Sequence, residues 1–84
     1  MYAIIFTSQA KSQYESLRGK LKQQVDKALE RISSDPESGK PLKGDLKGIR
    51  SERVSRFRIL YRIYKNELEV LVLVIGHRKN IYET

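Results

Sequence analysis

The spacing of apolar residues changes period twice along the chain, and that change limits the fold more than any other feature. Residues 2–7, YAIIFT, are β-branched and aromatic and read as a strand. From Ala10 the period becomes helical. Ala10, Tyr14, Leu17, Leu21, Val25, Ala28, Leu29 and Ile32 recur at steps of three and four and mark one apolar stripe. Ser8 is the expected N-cap. Gly19 interrupts the stripe, which predicts two helices at about 8–18 and 20–33. The opposite faces carry Lys11, Glu15, Lys22, Lys27 and Glu30, as water-facing surface should. Pro36 cannot continue the second helix, and the stretch ESGKPLKGDLKG, with its glycines and proline, reads as loop.

Beyond that loop the period becomes two, and three strands are expected at about 49–55, 56–64 and 67–75. In the middle one, Phe57, Ile59, Tyr61 and Ile63 point one way, and Arg56, Arg58, Leu60, Arg62 and Tyr64 the other. Lys65–Asn66 makes the turn. The last strand is apolar on both faces, Leu68, Val70, Val72 and Val74 against Leu71, Leu73 and Ile75, so it belongs inside the sheet. Gly76 should end it and leave a short tail. The order is β-α-α-β-β-β in one domain, residues 1–84. Short links force antiparallel pairing in the second half, and the helical stripe must cover one face of the sheet. The expected class is α+β, with a helical hairpin on a mainly antiparallel sheet. The sheet face bearing Arg58 and Arg62 is the candidate working surface.

Composition narrows the chemistry. The 84 residues include 17 Lys+Arg, 10 Asp+Glu, one His and no Cys, for a net charge of +7. Disulfides and cysteine-based zinc sites are excluded, and with one His no metal site is expected. Residues 1–39 hold six basic and five acidic residues, whereas 40–84 hold eleven and five. The excess therefore sits in the second half, where it suits either a polyanionic partner or plain solubility. MYAIIFTSQAK lacks the basic start and long apolar run of a signal peptide. LEVLVLVIG is strand length, well below the roughly 20 residues of a membrane-spanning helix. A soluble, cytoplasmic protein with no membrane partner is expected. Neither GxxxxGK[ST], GxGxxG nor HExxH occurs, and no cofactor is implied. A serine triad would have to use His77, and no serine stands in a nucleophile elbow.

Three arginines stand out. Arg53 and Arg58 fall on neighbouring strands, and Arg78 directly follows the last one, so an antiparallel sheet can bring all three to one patch. Arginine stays charged and offers a planar fork of donors suited to phosphate. Such a cluster also stabilises the extra negative charge of a phosphorane in transesterification. The alternative is a set of exposed strand arginines that pair with Glu52, Glu67 or Glu69 and keep edges soluble. His77 can act as a general acid or base near neutral pH. Tyr82 can stack on a base or donate a proton, or else fold back with Ile81 over the sheet edge.

In three stretches the chain resembles the RelE/ParE superfamily of toxins from type II toxin–antitoxin systems. GKPLKGDLKG (39–48) resembles the loop before the family's second strand. RVSRFRILYRI (53–63) resembles the pattern Arg-Val-Gly-x-Tyr-Arg-(apolar)-(apolar)-Tyr. VIGHRKNIYET (74–84) resembles the closing Gly-His-Arg-x-x-(apolar)-Tyr. Some positions depart from the pattern. Ser55 stands where Gly is usual, Phe57 where Tyr is usual, and Arg50 where an aromatic is common. Ser51 stands where some active members carry another basic residue.

The resemblance implies a helical hairpin on a curved antiparallel sheet. It implies a ribosome-dependent endonuclease, an mRNA interferase, that enters the A site and cuts mRNA, inhibiting translation. In such enzymes the 2′-hydroxyl attacks the adjacent phosphate in line, without a metal. By motif position Arg53 and Arg58 would orient the phosphate, Arg78 would assist the leaving 5′-oxygen, and Tyr82 would position a nucleotide. His77 occupies a position often held by His or Lys. Lys43, Lys47 and Arg56 would supply general RNA contacts. The implied partners are the ribosome, mRNA and a cognate antitoxin, acidic and partly disordered, that binds in a hetero-oligomer. The alternative reading within the resemblance is a ParE-like inhibitor of DNA gyrase without nuclease activity. A plain RNA-binding module is a third.

Overall fold

A computed structural model describes the backbone of residues 1–81 and the side chains of residues 1–79. The chain begins with strand β1 (Ala3–Phe6), helix α1 (Ser8–Glu15) and helix α2 (Gly19–Ser34). Four more strands follow: β2 (Lys40–Pro41), β3 (Arg50–Val54), β4 (Phe57–Tyr64) and β5 (Glu69–His77). A single turn of helix, α3 (Arg78–Ile81), closes the described part. The sheet order is β1-β5-β4-β3-β2, with β1 parallel to β5 and the other neighbours antiparallel. The expected loop at 37–48 therefore contains a two-residue edge strand. Its Pro41 sits where a missing N–H costs no interior ladder bond.

The helical stripe packs as its spacing predicts. Ala10, Leu17, Val25, Ala28, Leu29 and Ile32 meet Val54, Ile59, Tyr61, Val70, Val72 and Ile75 of the sheet in one buried cluster. Tyr14 lies at the margin. Its ring stacks on Phe6 at 5.2 Å, and its hydroxyl donates to Asp26 at 2.6 Å. Lys22 donates to that hydroxyl at 3.1 Å, which raises the lysine pKa, an effect opposed by desolvation and assisted by Asp26.

Three expectations are corrected. The N-cap of α1 is Thr7, not Ser8: the Thr7 hydroxyl accepts from the Ala10 N–H at 3.1 Å. Thr7 is selected because the same hydroxyl donates to the Leu73 carbonyl at 2.9 Å, tying the helix start to β5. The β1 pairing ends at Val72, and beyond it α1 takes over that side of β5. There Gln13 Oε1 accepts from the Ile75 N–H at 2.7 Å.

The second correction concerns the faces of β5. Leu60 pairs with Val74 but Tyr61 pairs with Val72, so Leu73 is an extra residue at a bulge. One extra residue flips the alternation of side chains. Val70, Val72 and Ile75 consequently share the helix-covered face, and Val74 moves to the face of Leu60. Strand β5 also continues through Gly76 to His77 rather than stopping at Gly76.

Tyr61 anchors the segment after α2. Its buried hydroxyl donates to the Pro36 carbonyl at 2.6 Å and accepts from the Gly39 N–H at 3.2 Å. A Cβ on Gly39 would overlap that hydroxyl, so the backbone can approach only because the residue is glycine. This contact fixes where β2 and β3 begin, and so where the residues of β3 stand against β4.

Candidate functional site

Cross-strand partners in an antiparallel ladder share a face. Glu52 and Val54 lie with Ile59 and Phe57 on the helix side, while Ser51, Arg53, Arg58 and Leu60 lie on the other. Arg53 and Arg58 are direct register partners, and the partner of Arg58 on β5 is Gly76. Sheet pairing thus builds the arginine pair expected from the sequence. Like charges placed directly opposite repel and weaken a sheet. Each arginine meets an oxygen: Arg58 Nη1 donates to Ser51 Oγ at 3.3 Å, and Arg53 Nε donates to the Ser55 carbonyl at 3.4 Å. An anion held between the two guanidinium groups would relieve their repulsion, which suits the pair to phosphate.

Arg78 opens α3, and its N–H donates to the Arg56 carbonyl at 2.8 Å. That bond seats the end of β5 against the β3–β4 turn. Arg56 was expected only as a general RNA contact. It occupies that turn, so Arg53, Arg56, Arg58 and Arg78 are gathered at one corner of the sheet. Arg53, Arg56 and Arg78 are exposed and Arg58 is half-buried. Within the turn Ser55 has φ +57°, a left-handed conformation that explains why glycine is usual at this place in the resembling pattern.

His77 is not brought to the arginine face. It pairs with Phe57, and the two rings meet edge to face at 5.8 Å. Its Nδ1 accepts the Lys79 N–H at 3.2 Å, so the neutral ring carries its proton on Nε2. Lys43 and Lys47 lie in the loop before β3, at the end of that strand remote from the Ser55–Arg56 turn. They line a groove of about 470 Å³ together with Pro41, Leu42, Ile49 and Ile63. Arg53 also borders a smaller groove, about 210 Å³, with Gln24, Lys27 and Arg31 of α2. There Arg31 is engaged by Glu52 at 3.1 Å. Tyr82, expected to complete the site, lies outside the described residues.

Sequence reasoning singled out Ser51 only for lacking a positive charge. Its contact with Arg58 depends on the β3–β4 register, which spacing along one strand does not reveal.

No helix among the described residues is long and apolar enough to cross a membrane. Residues 4–84 match the family of ParE-like toxins of type II bacterial toxin–antitoxin systems. The chain is similar to Toxin RelG of Mycobacterium tuberculosis, at 35% identity over 96% of this chain and 95% of the relative. It also superposes on the crystal structure of the toxin–antitoxin complex RelBE2 from Mycobacterium tuberculosis. The TM-score there is 0.80 at 33% identity, covering 92% of this chain and 98% of the other. The isolated RelE toxin of E. coli shares the fold, with a TM-score of 0.80 at 21% identity, over 92% of this chain and 84% of that one. A helical pair on one face of a five-stranded sheet, the arginine-bearing second face and these likenesses agree: the chain belongs to the ParE-like toxins of type II toxin–antitoxin systems.

Proposed function

We propose that this toxin is a ribosome-dependent mRNA endonuclease that cuts in the A site and so stops translation. The observation that carries the reading is the direct opposition of Arg53 and Arg58 on the sheet face opposite α1 and α2, with Arg78 at the same corner. In this reading the 2′-oxygen of one nucleotide attacks the adjacent phosphorus and loses its proton. The bond to the 5′-oxygen breaks, and that oxygen leaves protonated, giving a 2′,3′-cyclic phosphate and a 5′-hydroxyl. Arg53 and Arg58 hold the non-bridging oxygens and stabilise the added negative charge. Arg78 supports the leaving oxygen, and Tyr82 stacks on or positions a nucleotide. His77 packs on Phe57 and accepts the Lys79 N–H, which suits it to shaping the start of α3, where Arg78 stands. Lys43 and Lys47 contact RNA outside the reaction centre. A cognate antitoxin, acidic and partly disordered, covers the basic face in a hetero-oligomer. The Mycobacterium tuberculosis relative at 33% identity was crystallised as a toxin–antitoxin complex, which supports an antitoxin partner.

The decisive experiment incubates the purified chain with ribosomes programmed with a defined mRNA and maps cut sites by primer extension. Cleavage within the A-site codon, dependent on the ribosome, is expected. Intact mRNA together with inhibited supercoiling by DNA gyrase would replace this reading with the gyrase-directed one.

A further inference from the structure

Ser51 is 3% exposed and stands on the arginine-bearing face of β3. Its register partner is Leu60, and Arg58 lies two residues along β4 on the same face. Such diagonal neighbours stand roughly 7–8 Å apart, which a long side chain spans. Arg58 does span it: Nη1 comes within 3.3 Å of Ser51 Oγ. A serine side chain is too short to leave the sheet surface and meet a substrate lying above the arginines. Its hydroxyl acts on the guanidinium instead.

The contact has a directional consequence. A guanidinium is planar, so fixing one terminal nitrogen restricts the plane of the whole fork. Arg53 sits directly across the ladder, so the two cations repel. The Ser51 oxygen at Nη1 helps to set the plane of the fork without adding charge. We propose that Ser51 is a positioning residue, which holds the Arg58 guanidinium in the orientation needed to bind the scissile phosphate. The inference rests on the ribonuclease reading. It assigns Ser51 no contact with substrate and no proton.

The test compares wild type with Ser51→Ala and Ser51→Thr in single-turnover cleavage on programmed ribosomes, at saturating toxin. Ribosome binding is measured by sedimentation, and each rate is normalised to the bound fraction, so misfolded protein does not enter it. Loss of the hydroxyl in Ser51→Ala should slow cleavage at saturation about tenfold while leaving ribosome affinity within about twofold. Ser51→Thr keeps the hydroxyl and should recover most of the rate. A Ser51→Ala rate equal to wild type overturns the inference while wild-type cleavage still stands. Equal slowing of both variants overturns it too, because packing and not the hydroxyl would then be the cause. A wild-type chain that leaves ribosome-bound mRNA intact removes the nuclease reading and this inference together.

Discussion

Arg53 on β3 and Arg58 on β4 are direct cross-strand partners on the face of the sheet opposite α1 and α2. Two like charges so placed repel, and an anion between them would relieve that repulsion. Replacing Arg58 or Arg78 with Ala should abolish growth arrest at equal expression. It should lower cleavage on programmed ribosomes by roughly a hundredfold or more, as loss of a charge-stabilising donor does elsewhere. Melting temperature and antitoxin binding should be little changed. Arg58→Lys should recover only part of the rate, because lysine lacks the planar fork. Full toxicity of both alanine variants would refute the assignment.

Tyr82 tests how the nucleotide is held. If stacking dominates, Tyr82→Phe keeps most of the cleavage rate and Tyr82→Ala loses it. Equal losses in the two variants would assign the work to the hydroxyl. Single-turnover rates separate the outcomes.

Lys43 and Lys47 line the groove at the far end of β3 from the arginine corner. Their role should therefore appear in affinity and not in rate. Replacing either with Gln is expected to reduce the slope of log Kd for ribosomes against log salt by about one. The saturated cleavage rate should not change. Titrations at several salt concentrations check both points.

Tyr61→Phe removes a hydroxyl that serves two backbone groups, the Pro36 carbonyl and the Gly39 N–H. Leaving these unsatisfied should cost about 1–3 kcal/mol in urea unfolding. The same tyrosine sets a pH dependence. Burial pushes its phenol above the ordinary value near 10, and the Gly39 N–H pulls it partly back. The folded state thus holds this proton more tightly than the unfolded state. The contribution is complete below pH 10 and is lost as pH rises through the folded value. Wild type should therefore lose stability more steeply above pH 10 than Tyr61→Phe, as read from unfolding midpoints across that range.

Ser55 adopts φ +57° in the β3–β4 turn. A side chain there costs about 1–2 kcal/mol relative to glycine, partly offset by glycine's greater freedom when unfolded. Ser55→Gly should raise stability by up to about 1 kcal/mol. A higher urea midpoint with an unchanged slope would bear this out. A lower midpoint would show that the serine side chain makes up for the strain.

Much of the architecture was legible in local spacing. The stripe from Ala10 to Ile32 identified the covered face of both helices, and alternation in 57–63 placed Phe57, Ile59, Tyr61 and Ile63 toward them. These patterns are readable because a helix or strand that covers one side of a core must repeat its apolar residues at its own period. The arginines were legible too, Arg53 and Arg58 as charges at strand positions and Arg78 as a charge just past the last strand.

Pairing between distant segments was not legible in the same way. Spacing within β5 gave no sign that Leu73 is an extra residue, so Val74 and Ile75 were expected on exchanged faces. The bulge arises between β4 and β5, from contacts that neither strand contains alone. His77 was grouped with Arg78 by adjacency, but pairing with Phe57 puts it on the other side of the sheet. Thr7 displaced Ser8 as the cap because its hydroxyl also reaches the Leu73 carbonyl, far along the chain.

The sequence by itself determined which residues are apolar, which are cationic and what period each segment repeats. Those properties select two helices, an antiparallel half-sheet and an arginine-rich second half. Only the tertiary structure decided which arginines face one another, that Ser51 lies under Arg58, and that Tyr61 closes on Gly39. Strand register sets all three. It is chosen by the summed packing of the helices and all the strands, and no single segment carries that sum.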